Sequence, residues 1–313
     1  MEDYPTNLME FNERFATEEA CREYLSRLRW PEGFLCPRCS GGKGWPTRRG
    51  LWHCAGCGHQ LSVTAGTIFQ DTHKPIRMWF QAMWWVCSQK TGTSAVGLQQ
   101  ALGLGSYQTA WTWLHKLRRA MVRPGRDRLR GLVEVDETYV GGHEDNAIGR
   151  GTKDKALVVI AVEKDGRRIG RVRMGLVGGF NAADLCRFVS ESVETGSTVR
   201  TDGWKSYLAL PAHGYIHDRI RQNEREETAS ELMPGVHLVA SLLKRWLMGT
   251  HQGRVSREHL GYYLDEFTFR FNRRKSKHRG KLFYRLAQQS VEVEPVPYKT
   301  MVGGDSKGNL HNS

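Results

Sequence analysis

Leu132-Val133-Glu134-Val135-Asp136-Glu137-Thr138-Tyr139-Val140-Gly141-Gly142 is the stretch on which the reading of this chain turns. It begins as a short alternating run rich in β-branched residues and stops at a glycine pair, the pattern of a strand that ends in a turn. The strand's backbone hydrogen bonds fix an aspartate at that point, and its carboxylate can face a cleft at the sheet's centre. Alternation sends Glu137 to the opposite side from Asp136, so Glu137 receives no ligand role. A second aspartate ends another strand-like run, Ser197-Thr198-Val199-Arg200-Thr201-Asp202-Gly203-Trp204. A third acid sits in a helical pattern, Tyr263-Leu264-Asp265-Glu266-Phe267. Two strands and a helix that deliver three acids point to a divalent-metal site for phosphodiester chemistry.

The segments around the two aspartates fit that idea. Ala156–Val162 is a dense apolar run suited to a central strand. Lys164-Asp165-Gly166-Arg167 carries the Asp-Gly hairpin signal, and Arg171–Val177 alternates as a third strand. Asn181 caps the next helix with Asp184 at its third position, a capping carboxylate, and Leu185, Phe188, Val189 and Val193 form its apolar face. Three antiparallel-type strands, a helix, another strand and then helices is the order of a ribonuclease-H-like α/β fold. Its first and fourth strands lie side by side, which brings Asp136 and Asp202 together.

The third acid needs a choice. A helix over 257–274 packs through Leu260, Tyr263, Leu264, Phe267 and Phe271. At about 3.6 residues per turn, Glu266, Arg270 and Arg273 share a flanking face, and Asp265 points the other way. Glu266 is the expected metal ligand, and Arg273, two turns on, is placed to hold a phosphate. The competing reading of Glu266 is a surface ion pair with Arg270 at i,i+4. Mg²⁺ or Mn²⁺ takes oxygen ligands, and two such ions about 3.5–4 Å apart activate an attacking hydroxyl and stabilise the leaving oxygen. Asp136 bridges both ions in this scheme, and Asp202 and Glu266 hold one each.

Upstream, Cys36-Pro37-Arg38-Cys39 and Cys54-Ala55-Gly56-Cys57 are two CxxC knuckles separated by a hairpin-sized gap. Each knuckle curls so that two thiolates meet one ion, which makes a zinc ribbon with a structural, fully ligated Zn²⁺; rubredoxin-like iron or a redox pair is the alternative. His53 and His59 are bystanders. Thr17 caps a helix through Leu25 in which Cys21 is simply packed, Leu51-Trp52-His53 reads as a strand, and Ser62–Phe69 as another. Pro75 opens a helix buried through Ile76, Trp79, Phe80, Met83 and Cys87. A short helix at 95–102, a glycine turn and a helix at 107–121 capped by Ser106 follow. Gln108, Thr112, His115 and Arg119, with Lys116 nearby, face away from the apolar side Ala110, Leu114, Leu117 and Met121. That pattern suggests a helix-turn-helix that meets DNA; a small helical bundle with a solvated face is the bland alternative.

The 313 residues suffice for two or three domains with real cores. With 39% hydrophobic and 25% charged residues the composition fits a soluble globular chain. Lys plus Arg number 46 against 33 acids, a net charge of +13, so a polyanionic partner is expected rather than a merely solvated basic surface. Clustering of the cations at 116–130 and 270–285 favours nucleic acid. The acidic start Met1-Glu2-Asp3-Tyr4-Pro5 lacks an apolar signal, and the longest apolar stretch, near Met78–Cys87, is too short to span a bilayer. An intracellular chain is expected, and its seven cysteines then serve as metal ligands or buried thiols.

Taken together, Thr17–Tyr24, Cys36-Pro37-Arg38-Cys39, Val63-Thr64-Ala65-Gly66-Thr67, Val135–Gly142, Thr201-Asp202-Gly203-Trp204, Trp246–Gly253 and Tyr263–Arg274 resemble a bacterial insertion-sequence transposase of the DDE superfamily. The group resembled has an N-terminal zinc ribbon and a ribonuclease-H-like catalytic domain. The resemblance implies cutting at the element's ends and joining to target DNA, by an assembly of copies acting on double-stranded DNA in the cytoplasm, at the nucleoid. It assigns the acids to Asp136, Asp202 and Glu266 and the basic partner to Arg273. His237 and His251 fall in family-like stretches without a role that the sequence supplies. The expected layout is a helix and zinc ribbon at 1–70, a helix-turn-helix-like domain at 71–125, the catalytic domain at 126–290 and a flexible tail at 291–313. The alternative functions are a DNA-binding regulator without chemistry and a nuclease that cuts without joining.

Overall fold

The computed structural model describes residues 2–123, 125–141, 155–220, 229–253 and 255–303. In chain order the helices are α1 (Leu8–Arg14), α2 (Glu18–Arg29), α3 (Ile76–Ser88), α4 (Ala95–Leu102), α5 (Tyr107–Ala120), α6 (Ala182–Ser192), α7 (Ala229–Leu232), α8 (Pro234–His251), α9 (Leu260–Asn272), α10 (Arg279–Glu292) and α11 (Tyr298–Val302). The strands are β1 (Gly44–Pro46), β2 (Leu51–Cys54), β3 (Gln60–Ser62), β4 (Leu132–Val140), β5 (Ala156–Asp165), β6 (Arg168–Val177), β7 (Thr198–Thr201) and β8 (Ile216–Arg219). They form two compact units, Met1–Arg123 with Lys275–Gly303, and Pro124–Arg274.

In the first unit, Thr17 caps α2 as expected: its Oγ1 accepts the Ala20 N–H at 3.2 Å. β1, β2 and β3 make an antiparallel ribbon, and the CxxC knuckles close around one point. The ligand atoms of Cys36, Cys39, Cys54 and Cys57 all lie within 4.8 Å of one another. The sulfurs of Cys36 and Cys57 are 3.7 Å apart and those of Cys39 and Cys54 3.6 Å. Four thiolates at about 2.3 Å from a tetrahedral Zn²⁺ stand about 3.8 Å from each other, so the cluster fits a structural zinc ion. Behind it Phe34 stacks on Trp52, and Trp30 meets both edge-on, in a small core of their own.

Three features depart from expectation. Ser62–Phe69 is not a strand beyond Ser62 but a chain of turns. Its hydroxyls take over the backbone groups that a strand would pair: the Thr64 N–H donates to Ser62 Oγ, Thr67 Oγ1 to the Thr64 carbonyl, and the Phe69 N–H to Thr67 Oγ1. Second, the unit that holds the sheet ends at Arg274 instead of running to 290. α10 buries Leu282, Phe283, Leu286 and Ala287 in the first unit, where the Phe283 ring meets those of Phe11, Phe80 and Phe15 at 5.3, 5.4 and 5.5 Å. An aromatic cluster this dense decides which unit the helix joins. Third, the tail holds α11, whose Met301 is buried; residues 304–313 lie outside the described ones.

The second unit is a five-stranded sheet in the order β6-β5-β4-β7-β8. β4, β7 and β8 run parallel, and β5 is antiparallel to both β4 and β6. That order, with helices on both faces, is the ribonuclease-H-like α/β fold. Period-two alternation divides the strands cleanly. Val133, Val135, Val159 and Ala161 face α6 through Leu185, Phe188 and Val189. Val140, Val158, Ile160 and Val162 face α8 and α9 through Val236, Val239, Leu243, Leu264 and Phe267. Among the described residues no helix is long and apolar enough to cross a membrane.

Zinc and ribbon should stand or fall together, because the ion's binding energy is folding energy here. Cys36→Ser is expected to lower the zinc content of the purified chain to near zero and to melt the ribbon; a full complement of zinc in that variant would refute the assignment.

Candidate functional site

The parallel pairing of β4 with β7 builds the site. Leu132 is paired with Thr198, Val133 with Val199 and Glu134 with Arg200. Carried two residues further, the same register sets Asp136 beside Asp202, on strands about 4.8 Å apart. Both side chains are half-buried. Asp202 lies just past the end of β7, where its Oδ1 accepts the Trp204 N–H at 3.0 Å, a local turn bond that orients the carboxylate. Asp136 shares its face of β4 with Glu134 and Val140, the face covered by α8 and α9.

α8 brings a histidine to Asp136. His237 Nδ1 is 3.8 Å from Asp136 Oδ2. That is too long for a hydrogen bond, but it is a separation kept by two donors of one ion, each about 2.1 Å from it. His237 Nε2 is buried and has no hydrogen-bond partner among the described residues. No periodicity marks such a residue in the sequence. The signal that could have found it is Pro234 opening an apolar helix one turn before a polar side chain.

Glu134 fixes where α8 begins. Only 1% exposed, its Oε2 accepts the Val236 N–H at 2.9 Å. That amide is one of the donors left over at the start of any helix, so a carboxylate from β4 caps α8 from outside its own chain segment. Lys164 Nζ balances the charge at 3.3 Å. A Cβ on Gly235 would stand 2.7 Å from Glu134 Oε2, so only glycine lets strand and helix approach this closely. The residue after the capped amide is His237, and the tether therefore sets its position over Asp136.

Glu266 already has a partner on its own helix. Among the described residues the four cysteines are the only group of three or more His, Cys, Asp or Glu ligands within 4.8 Å of one another. Glu266 rides on α9, which packs against β6. At 1% exposure it is closed to solvent, and its Oε1 accepts from Arg270 Nε at 2.8 Å. The competing ion-pair reading thus describes Glu266, except that the pair is buried instead of on the surface. Arg273 lies over the Phe269 ring at 4.1 Å, at the end of α9. His251 is packed, its ring 4.6 Å from Tyr263 and 4.9 Å from Trp246.

Glu137 faces the α6 side, as alternation demands, and accepts a 2.5 Å hydrogen bond from Tyr207, which is fully buried. Burial lifts its carboxyl to about 7; the Tyr207 hydroxyl works against this, and the charges of Asp136 and Asp202 add to it.

The expected DNA face of α5 is also revised. Ser106 caps the helix, and Gln108 is exposed near its start. Thr112 is half-buried and turns its hydroxyl to the Gln108 carbonyl at 2.7 Å. His115 is fully buried against Trp111 at 4.0 Å, Lys116 reaches the Gln70 carbonyl at 3.5 Å, and Arg119 is half-buried. α10 and α11 lie along this helix, with Tyr298 edge-on to Trp111 at 6.3 Å, and cover the side that the 107–121 pattern alone leaves open.

Comparison with known proteins agrees with both units. Residues 16–60 match a family described as transposase zinc-ribbon domain, and residues 128–272 one described as ISXO2-like transposase domain. An uncharacterized protein in transposable element ISH50 of Halobacterium salinarum is 26% identical over 290 residues, covering 82% of this chain and 91% of the relative. Among solved structures, the Mos1 strand transfer complex is 14% identical, with a TM-score of 0.30 over 76% of this chain and 81% of that one. A Mos1 transposase paired-end complex with left transposon end is 16% identical, with a TM-score of 0.29 over 76% and 82%.

A carboxyl raised above its ordinary 4.5 favours folding while it holds its proton. Its contribution is complete below about 4.5 and is lost as pH rises through about 7. In metal-free protein Glu137→Gln should therefore flatten the fall in urea-unfolding free energy between those values; an unchanged slope would show that Glu137 is ionised in the folded chain.

Proposed function

This chain belongs to the insertion-sequence transposases of the DDE superfamily that carry an N-terminal zinc ribbon, and from that premise we propose that it cuts the ends of an insertion sequence and joins them to target DNA. The observation that carries the proposal is the neighbouring register of Asp136 on β4 and Asp202 just past β7, with His237 Nδ1 at the start of α8 3.8 Å from Asp136. Two carboxylates in adjacent register repel each other and stay together at low cost only with a cation between them. The imidazole of His237, turned to Asp136 through Nδ1, suits the same ion. The residues fit a divalent metal, and the imidazole favours a transition metal such as Mn²⁺ over Mg²⁺. When bound, divalent ions in such a site activate the attacking hydroxyl and stabilise the leaving oxygen.

The chain's own residues do the rest. Asp136 and Asp202 would hold a divalent cation through their carboxylates. Glu134 positions α8, and hence His237, without touching the substrate. Lys244, seven residues after His237 and exposed on nearly the same helical face, offers an ammonium to the DNA backbone, the task that the sequence alone gave to Arg273. A net charge of +13 supports a double-stranded DNA partner, and joining two ends calls for an assembly of copies.

Protein, Mn²⁺ or Mg²⁺ and DNA bearing the element's inverted repeats provide the test. Wild-type protein should cut and join; hydrolysis alone would leave a nuclease, and retention without cutting a regulator. Asp136→Asn and His237→Ala should each lower cutting by more than about a hundredfold, beyond the usual cost of a change outside the ligand set. Glu266→Gln should leave Mn²⁺ affinity intact and instead lower the melting temperature. Cutting that survives His237→Ala but is lost in a stably folded Glu266→Gln would overturn the site.

A further inference from the structure

A second basic site lies in the first unit, between the ribbon, α2 and the start of α3. There a cleft of about 490 Å³ is lined by Arg22, Arg49, His73 and Lys74, with Ser62 and Thr64. Its one carboxylate is Glu18, whose oxygens are already engaged. Glu18 Oε1 accepts the Ile76 N–H at 2.9 Å and Oε2 the Arg77 N–H at 3.0 Å, which seals the start of α3. The same carboxylate meets Arg22 Nε at 3.3 Å. Neither Arg49 nor Lys74 has a carboxylate within 4.0 Å among the described residues. The cleft is therefore cationic on balance.

The hairpin turn leaves room for this geometry. Gly50 sits at φ +74, and a Cβ there would stand 2.2 Å from Arg22 Nη1, so a glycine lets the guanidinium lie against the turn next to Arg49. Arg22 is thereby held from two sides, by Glu18 and by the turn. A cation fixed in advance loses little side-chain entropy when an anion arrives. Exposed cations continue past the cleft in both directions, Arg48 on the hairpin and Arg77 on α3. A single small anion would leave these unmatched, whereas a chain of phosphates meets them all.

We propose that this cleft seats the phosphate backbone of duplex DNA, with Arg22, Arg49 and Lys74 contacting successive phosphates. The site is separate from the metal-binding group, reads backbone charge and not base sequence, and rests on the reading of the chain as a DNA-cutting protein. Arg22 is partly structural, so Arg49 and Lys74, both exposed, carry the test.

Binding of the full-length, zinc-loaded chain to a fluorescein-labelled duplex of arbitrary sequence, followed by anisotropy across a series of salt concentrations, measures these contacts. The Arg49→Ala/Lys74→Ala double variant should bind more weakly, and its plot of log affinity against log salt should be shallower by about 1.8, roughly 0.9 for each lost phosphate contact. Arg49→Lys/Lys74→Arg should restore both, which a folding defect would not allow. Wild-type affinity and slope in the double alanine variant would overturn the cleft while leaving the proposed function standing. Failure of the wild-type chain to hold any duplex would overturn the proposed function as well.

Discussion

The register between β4 and β7 is the constraint on which the rest of the second unit depends. Parallel strands are joined by long crossovers, so no local turn holds this register; burial does. Val133, Val135 and Val199 must enter the α6 core together, and that requirement sends Asp136 and Asp202 to the other face at neighbouring positions. A slip of one residue would bury an aspartate among Val189, Leu185 and Phe188. The arrangement of charge at the site is thus a consequence of apolar packing on the far side of the sheet.

A second layer turns this pair of carboxylates into a site. Glu134 lies two residues before Asp136 on the same strand face, and it uses its charge inside the protein to cap α8 and meet Lys164. Two carboxylates on one strand face therefore have different roles because their surroundings differ. Glu134 is sealed by α8, while Asp136 stays half-open. The cap fixes the register of α8 along the sheet, and with it the imidazole of His237. Removing one partner of such a buried pair typically costs about 3–5 kcal/mol, enough to explain why strand and helix behave as one piece.

Much of this was legible in the sequence. The CxxC spacing, the alternation around Asp136, the Asp-Gly hairpin and the strand order follow from local rules, and the structure has each of them. What was not legible depends on which surfaces meet. Glu266 and His237 both lie on helices that cover the same sheet face, and periodicity says which side of a helix is apolar but not which strand it will cross. Glu266 also carried a local explanation, its i,i+4 partner Arg270, and that explanation describes the pair in the structure. The face of α5 with His115 and Lys116 reads as open until α10 and α11, more than a hundred residues later, close over it. Ser62–Phe69 has strand composition, but its hydroxyls satisfy the backbone locally. In each case the tertiary partner overrode a pattern that was sound on its own terms.

Where a divalent cation settles decides the central claim most directly. Anomalous diffraction from crystals of this chain soaked in Mn²⁺ would locate it without any assay of activity. The account predicts a peak bounded by Asp136, Asp202 and His237, with Glu266 still paired to Arg270; a peak that draws in Glu266 and leaves His237 outside would contradict it.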